Sequence, residues 1–184
     1  MKSMKSKLIV LAMSLAMAAS LALALPASAS VGASGDIQTS NRIRKQLVTL
    51  PYYGVFDNLA YELQGNTVTL TGQVVRPSTR KDAERRVAKI EGIDRVINNI
   101  QVLPVSQFDD TIRVRTYRAV FSSGGLHRYA MGVNPSIHIV VNGGHVTLEG
   151  AVSSRMDSQL AYMAANRVPG VFSVTNNLRV ASGS

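Results

Sequence analysis

The chain has 184 residues and contains neither cysteine nor tryptophan. Without cysteine, the protein cannot form disulfides or carry a lipid on an N-terminal cysteine. It has only three histidines, and they are not spaced to converge on one site. No set of catalytic or metal-ligating side chains stands out. The sequence therefore predicts a non-enzymatic protein with no cofactor and no metal.

Long apolar runs are also scarce, and the one example lies at the N-terminus. Three lysines precede the apolar run 8–25, which ends in Pro26-Ala27-Ser28-Ala29. A basic start, an apolar centre and an A-x-A exit are typical of a secretory signal peptide. We expect residues 1–29 to be this signal, cleaved after Ala29, although an uncleaved membrane anchor is the alternative. No other stretch is apolar enough to cross a membrane.

Acidic residues are outnumbered along the chain. Without the three signal-peptide lysines, 17 basic and 11 acidic residues remain. A cationic exported protein tends to meet anionic lipid headgroups, lipopolysaccharide or acidic proteins. Export argues against nucleic acid as a partner.

The mature chain contains the same pattern twice. Residues 55–102 align without a gap on residues 133–180 at an offset of 78, and 13 of the 48 pairs are identical. Most identical pairs are glycine, asparagine or apolar residues, which specify a backbone. No reactive side chain is duplicated. The repeat therefore predicts two small domains, at 36–103 and 109–181, joined by a linker at 104–108.

Each repeat is expected to fold as helix, strand, strand, helix, strand. Asp36 is expected to cap the first helix of the first repeat, and the first helix of the second repeat is expected to begin at Asp110. Gly65-Asn66 and Gly143-Gly144 are expected to form two-residue hairpin turns. This αββαβ order predicts an α+β fold of two tandem domains, each a three-stranded mixed sheet with two helices on one face. It leaves the strand order open.

The motifs resemble the BON domain (bacterial OsmY and nodulation domain). In the first repeat, the second arm of the hairpin reads N-T-V-T-L-T-G-Q-V at 66–74. Its counterpart in the second repeat reads G-H-V-T-L-E-G-A-V at 144–152. The last strands follow Gly92 and Gly170 and carry paired asparagines, Asn98-Asn99 and Asn176-Asn177. The asparagines are interpreted as satisfying backbone groups. Two such motifs behind an export signal resemble the OsmY-like periplasmic proteins.

This resemblance implies a periplasmic envelope protein that associates with phospholipid or membrane, responds to osmotic or other stress, and supports envelope integrity. It also implies a chaperone-like role. The first function hypothesis is therefore binding of an anionic phospholipid or outer-envelope surface through the second domain. The alternative is a periplasmic adaptor or chaperone-like module that holds protein clients through the apolar second helix of the second domain.

A lipid-binding surface is predicted around the first helix of the second repeat and the loop after it. The loop, residues 124–132, has no counterpart in the first repeat. Cations would meet anionic headgroups, and apolar side chains at the loop tip would insert. The predicted lipid-binding residues are Arg115, Arg118, Arg128, Tyr129 and Leu126.

An interface is predicted on the second helix of the second repeat. Tyr162 and Met163 take the places of Glu84 and Arg85, and Leu160 lies beside them. Apolar residues in a normally solvated place indicate an interface. The first repeat is the favoured partner of this interface, so the two domains are expected to pack on each other. The alternative partners are a second protomer and a lipid surface. His138 is expected opposite Glu149 on the outer face of the sheet, as a surface contact.

Overall fold

The computed structural model describes residues 29–132 and 134–181. Apart from Ala29, the predicted signal peptide lies outside these residues. The first domain consists of α1 (Ala29–Val48), β1 (Asn58–Gln64), β2 (Thr67–Val74), α2 (Pro77–Val87), β3 (Arg95–Asn98) and β4 (Gln101–Val102). The second domain consists of α3 (Gln107–Phe121), a short 3₁₀ helix (Leu126–Ala130), β5 (Ile137–Asn142), β6 (His145–Val152), α4 (Arg155–Asn166) and β7 (Ser173–Val180).

Both domains have the same sheet, which confirms the predicted fold class. The hairpin arms pair antiparallel, and the last strand pairs parallel with the second arm. The second arm is therefore central, with strand order β1-β2-β3 in the first domain and β5-β6-β7 in the second. The segment β4 continues β3 along β2 after a short break. The predicted hairpin register is confirmed, because Tyr61 lies opposite Leu70 and Ile139 opposite Leu148.

The central strand of each domain carries a glycine that lets the neighbouring strand approach. Gly72 and Gly150 both have φ +118°, a conformation that L side chains rarely adopt. A Cβ at either position would lie 2.1 Å from a backbone oxygen, that of Asn58 or Ser136. Glycine is repeated here because no other residue leaves room for the edge strand.

The repeated asparagines tie the last strand to the helix that precedes it. The Asn98 amide donates to the Arg80 carbonyl, and the Asn176 amide donates to the Ser158 carbonyl. Each side-chain oxygen also accepts from a backbone N–H two residues later. These bonds agree with the predicted backbone role for Asn98 and Asn176, whereas the Asn177 amide donates to the Glu149 carboxylate.

Two helix starts differ from the prediction. Asp36 lies inside α1, which begins at Ala29, and so does not cap it. The start of α3 is capped by Ser106, whose hydroxyl accepts from the Asp109 N–H, so the helix begins before Asp110. Asp109 instead turns inward and accepts from the N–H groups of Gly143 and Gly144, which fixes the hairpin turn to the helix.

Residues 53–56 of the first domain lie against the second domain. The Val55 carbonyl accepts from the Ile139 N–H at 2.7 Å, which satisfies a donor on the edge strand β5. Phe56 packs edge-on against Tyr117, with ring centroids 6.3 Å apart. Tyr117 is 36% exposed beside this contact.

His138 lies in this contact between the domains. Its predicted partner across the sheet is correct, since it pairs with Glu149. The residue is nevertheless only 9% exposed. Its ring lies 5.4 Å from the Tyr53 ring, and its Nδ1 lies 3.2 Å from the Gly54 carbonyl oxygen. The interpretation as a surface contact was therefore wrong, because residues 53–54 cover that face. Burial lowers the pKa of His138.

Candidate functional site

The exposed side of the second domain's helices carries three arginines around one groove. Arg115 and Arg118 come from α3, and Arg167 follows the end of α4. Ala119 and Ala164, whose side chains are small, line the same groove from the two helices. We call Arg115, Arg118 and Arg167 the cationic face.

The pattern of α3 fixes which of its arginines point outward. Its buried side contains Ile112, Thr116 and Val120, and the spacing of four residues brings them to one side of the helix. Arg113 falls on that buried side and donates to the Val141 carbonyl at 2.8 Å. Arg115 and Arg118 fall on the other side and remain exposed, as the sequence predicted.

Acidic side chains do not balance the cationic face. Residues 109–181 contain four acids, of which Asp109 and Asp157 are buried. Glu149 lies on the sheet. Asp110 is exposed near Arg115 and Arg118, but its carboxylate is paired with Arg113. The face is therefore left with a net positive charge.

The loop after α3 does not form the predicted lipid-inserting tip. Leu126 is fully buried and Tyr129 is 7% exposed, and both belong to the core of the second domain. Neither side chain can enter a bilayer in this conformation. Arg128 is exposed at the surface, but its guanidinium binds Asp157 at 2.8 Å. Leu126 and Tyr129 are therefore corrections to the predicted lipid site, whereas lipid binding by Arg128, which is paired with Asp157, stays a prediction.

The physical reason is a hydrogen-bond cluster that fixes the loop to the start of α4. The Tyr129 hydroxyl donates to the Asp157 carboxylate and accepts from the Ser153 N–H, each at 2.8 Å. The Ser154 hydroxyl caps α4 and also donates to Asp157. The hydrogen bond from Ser154 lowers the pKa of the Asp157 carboxyl, with further contributions from Tyr129 and Arg128. This cluster holds the loop inward and uses the charge of Arg128 internally.

The predicted interface residues are divided between core and surface. Leu160 is half-buried and packs on the domain core. Tyr162 is 39% exposed and Met163 is 44% exposed. The first domain therefore does not cover them, contrary to the favoured interpretation, because its contact is with β5 and α3.

Sequence reasoning missed Arg167 and a pair of exposed phenylalanines, Phe108 and Phe172. A signal for Arg167 was present, since it aligns with Lys89 at the repeat offset of 78. Phe172 also aligns with a polar residue, Asp94, and this departure from the repeat marks it as unusual.

The described residues also bear on two other kinds of site, a membrane span and a metal site. Within 29–132 and 134–181, no helix combines the length and apolar character that a membrane span requires. In the same part of the chain, no three His, Cys, Asp or Glu side chains are placed to hold a metal ion.

Comparison with known proteins identifies the family of both domains. The family model described as "BON domain" matches residues 38–104 and 109–182. No curated protein matches the chain. The chain is similar to CdsD, a structural protein of the type III secretion system of Chlamydia trachomatis, at 9% identity and a TM-score of 0.30, over 79% of this chain and 94% of that one. The C-terminal domain of CdsD gives 9% identity and a TM-score of 0.27, over 77% and 96%.

These structural likenesses are too distant to support any statement about function. The family matches are different, because they cover most of the chain and coincide with the two domains seen in the structure. The chain therefore belongs to the BON-domain family and carries two BON domains in tandem.

Proposed function

We propose that this is a non-enzymatic protein of the bacterial periplasm that binds anionic phospholipid surfaces through the cationic face of its second BON domain. The observation that carries the proposal is that Arg115, Arg118 and Arg167 line one groove. Among the described residues of the second domain, the exposed acid beside Arg115 and Arg118 is Asp110, and its carboxylate is paired with Arg113. The BON family and the secretory character of residues 1–29 support the location and the type of partner.

The expected affinity is low and sensitive to salt. A basic residue near an anionic bilayer contributes about 1 kcal/mol, so three contribute about 3 kcal/mol. The Debye length falls from about 10 Å at 0.1 M salt to about 3 Å at 1 M, and this screens exposed charges. Binding should therefore weaken strongly between these two salt concentrations.

Cosedimentation with vesicles tests the proposal. The mature protein should sediment with phosphatidylglycerol vesicles at low salt and should remain in solution with phosphatidylcholine vesicles. A chain that stays in solution with both kinds of vesicle would refute the proposal.

A matched pair of variants tests the assigned face. Charge reversal to Glu at Arg115, Arg118 and Arg167 should abolish sedimentation. The same reversal at Lys81, Lys89 and Arg95 changes the net charge equally, but it acts on exposed residues of the first domain. It should reduce binding only modestly. Equal losses in both variants would show that net charge, and not this face, governs binding.

The exposure of Tyr162 and Met163 supports a second candidate function, the holding of protein clients. This function predicts suppression of aggregation of an unfolded client, independent of lipid charge. Tyr162→Glu and Met163→Glu should then abolish the suppression and leave vesicle binding intact. Loss of vesicle binding in these two variants would instead place the residues in the lipid surface.

A further inference from the structure

Two phenyl rings are exposed together at one end of the second domain. Phe172 is 69% exposed and Phe108 is 48% exposed, and their ring centroids lie 5.9 Å apart. His145 lies edge-on to Phe172, also at 5.9 Å. A cluster of exposed aromatic rings, unlike a single exposed apolar residue, indicates an interaction surface.

The backbone of the hairpin turn holds the two rings in place. Gly144 lies beneath them, and a Cβ there would be 2.6 Å from Cδ2 of Phe172 and 3.2 Å from Cε1 of Phe108. The Phe172 N–H donates to the Gly144 carbonyl at 2.9 Å. The position of the rings is therefore fixed by the backbone, although both rings are exposed to solvent.

The first domain shows what this position looks like without the rings. At the repeat offset of 78, Gly144 corresponds to Asn66 and Phe172 to Asp94. In the first domain these two polar side chains hydrogen-bond to each other at 2.9 Å. In the first domain, exposed polar groups thus make the contact between the hairpin turn and the segment before the last strand. The aromatic pair is a feature of the second domain and not a requirement of the fold.

The rings are continuous with the cationic face. Phe108 and Arg115 are seven residues apart on α3, which places them on one side of the helix about 10 Å apart along its axis. Arg115 reaches the end of α4 and donates to the Pro169 carbonyl. The next residue, Gly170, lies against the Phe108 ring. Cations and exposed rings therefore share one surface.

We propose that Phe108 and Phe172 insert into the interfacial region of an anionic bilayer when the cationic face meets the headgroups. This inference rests on the proposed function and adds the apolar part of the same site. The arginines supply the attraction that salt screens. The rings supply a contribution that salt does not screen, because it comes from removing apolar surface from water.

Tryptophan substitution at Phe172 reports insertion directly, because the chain contains no other tryptophan. Emission of the Phe172→Trp variant should shift to shorter wavelength on phosphatidylglycerol vesicles and should be quenched by lipids brominated on their acyl chains. The matched control is Asp94→Trp, at the equivalent exposed position of the first domain. Its emission should change little.

Phe172→Ser measures the contribution of one ring. The association constant for phosphatidylglycerol vesicles should fall about tenfold. The fall should be the same at low and high salt, whereas charge reversal at Arg115 should change the salt dependence. Because Phe172 is exposed, the substitution should leave the fold intact, and weaker binding should not result from unfolding. Circular dichroism of the variant checks this.

The outcomes separate the two proposals. If the wild-type chain fails to sediment with phosphatidylglycerol vesicles, both proposals fail. If it sediments, but the emission of Phe172→Trp neither shifts nor is quenched and Phe172→Ser binds normally, insertion is refuted and the electrostatic face stands. An emission shift of Phe172→Trp on an unfolded protein client, with none on vesicles, would also overturn insertion and assign the rings to protein binding.

Discussion

Replacement of Tyr129 by Phe tests the structural role assigned to the loop after α3. The variant keeps a buried ring of nearly the same shape and removes only the hydroxyl. That hydroxyl donates to the Asp157 carboxylate and accepts from the Ser153 N–H and, at 3.2 Å, from the Arg128 guanidinium. A hydrogen bond to a charged group is worth about 1.5–3 kcal/mol and a neutral one about 1 kcal/mol. Because Ser154 and Arg128 still bind Asp157, we expect a net loss of about 2 kcal/mol.

Urea denaturation followed by circular dichroism measures this loss. With a slope of about 1–3 kcal/mol per molar urea, the midpoint should fall by about 1 M while the slope stays the same. Tyr162→Phe is the matched control, because its side chain is 39% exposed. It should change the free energy of unfolding by less than about 0.5 kcal/mol.

The same variant also has a signature in acid. The pKa of Asp157 is lowered in the folded state, so its stabilising contribution is present at neutral pH. That contribution is lost as the pH falls below the carboxyl's ordinary value of about 3.9. Tyr129→Phe should make this acid dependence shallower. Stability equal to wild type, together with weaker vesicle binding, would refute our interpretation and restore the loop as a lipid-contacting tip.

Two further predictions concern the sheet and the contact between the domains. Gly150→Ala should lower the free energy of unfolding by about 3 kcal/mol or more, because the added Cβ would meet the Ser136 backbone oxygen. Gly143→Ala has open space around the added Cβ and should lower it by about 1 kcal/mol. Urea midpoints compare the two variants. Burial lowers the pKa of His138, so the wild-type free energy of unfolding should decrease as the pH falls below about 6.5. His138→Gln should lack this decrease in the free energy of unfolding. Burial raises the pKa of Asp57, which acts in the opposite direction in both proteins. A pH dependence unchanged by the substitution would contradict its assignment to His138.

The hairpins were predictable because their signal is local. Alternating apolar residues set the strand faces, and the glycine turns set the register, so the sequence pattern alone places Val141 opposite Val146. Helix starts were less predictable. Asp36 is a good capping residue, but α1 already begins at Ala29, which shows that capping propensity alone does not set where a helix begins.

The loop was mispredicted because its determinants are far apart in sequence. Tyr129 is buried by its bond to Asp157, 28 residues later, and no spacing rule connects the two. The exposed positions of Arg115 and Arg118 followed from helical periodicity alone. Their convergence with Arg167 depended on how α3 packs on α4, which the sequence pattern does not specify.

Paramagnetic mapping of the bound state tests the central claim most directly. The ¹⁵N-labelled chain would be mixed with phosphatidylglycerol bicelles that carry a gadolinium-chelating lipid, and relaxation enhancement would be measured for each amide. We predict that enhancement concentrates at residues 108–118 and 163–172 and is weak in the 3₁₀ helix and the first domain. Strongest enhancement at residues 126–130 or in α2, or none at any amide, would contradict the account.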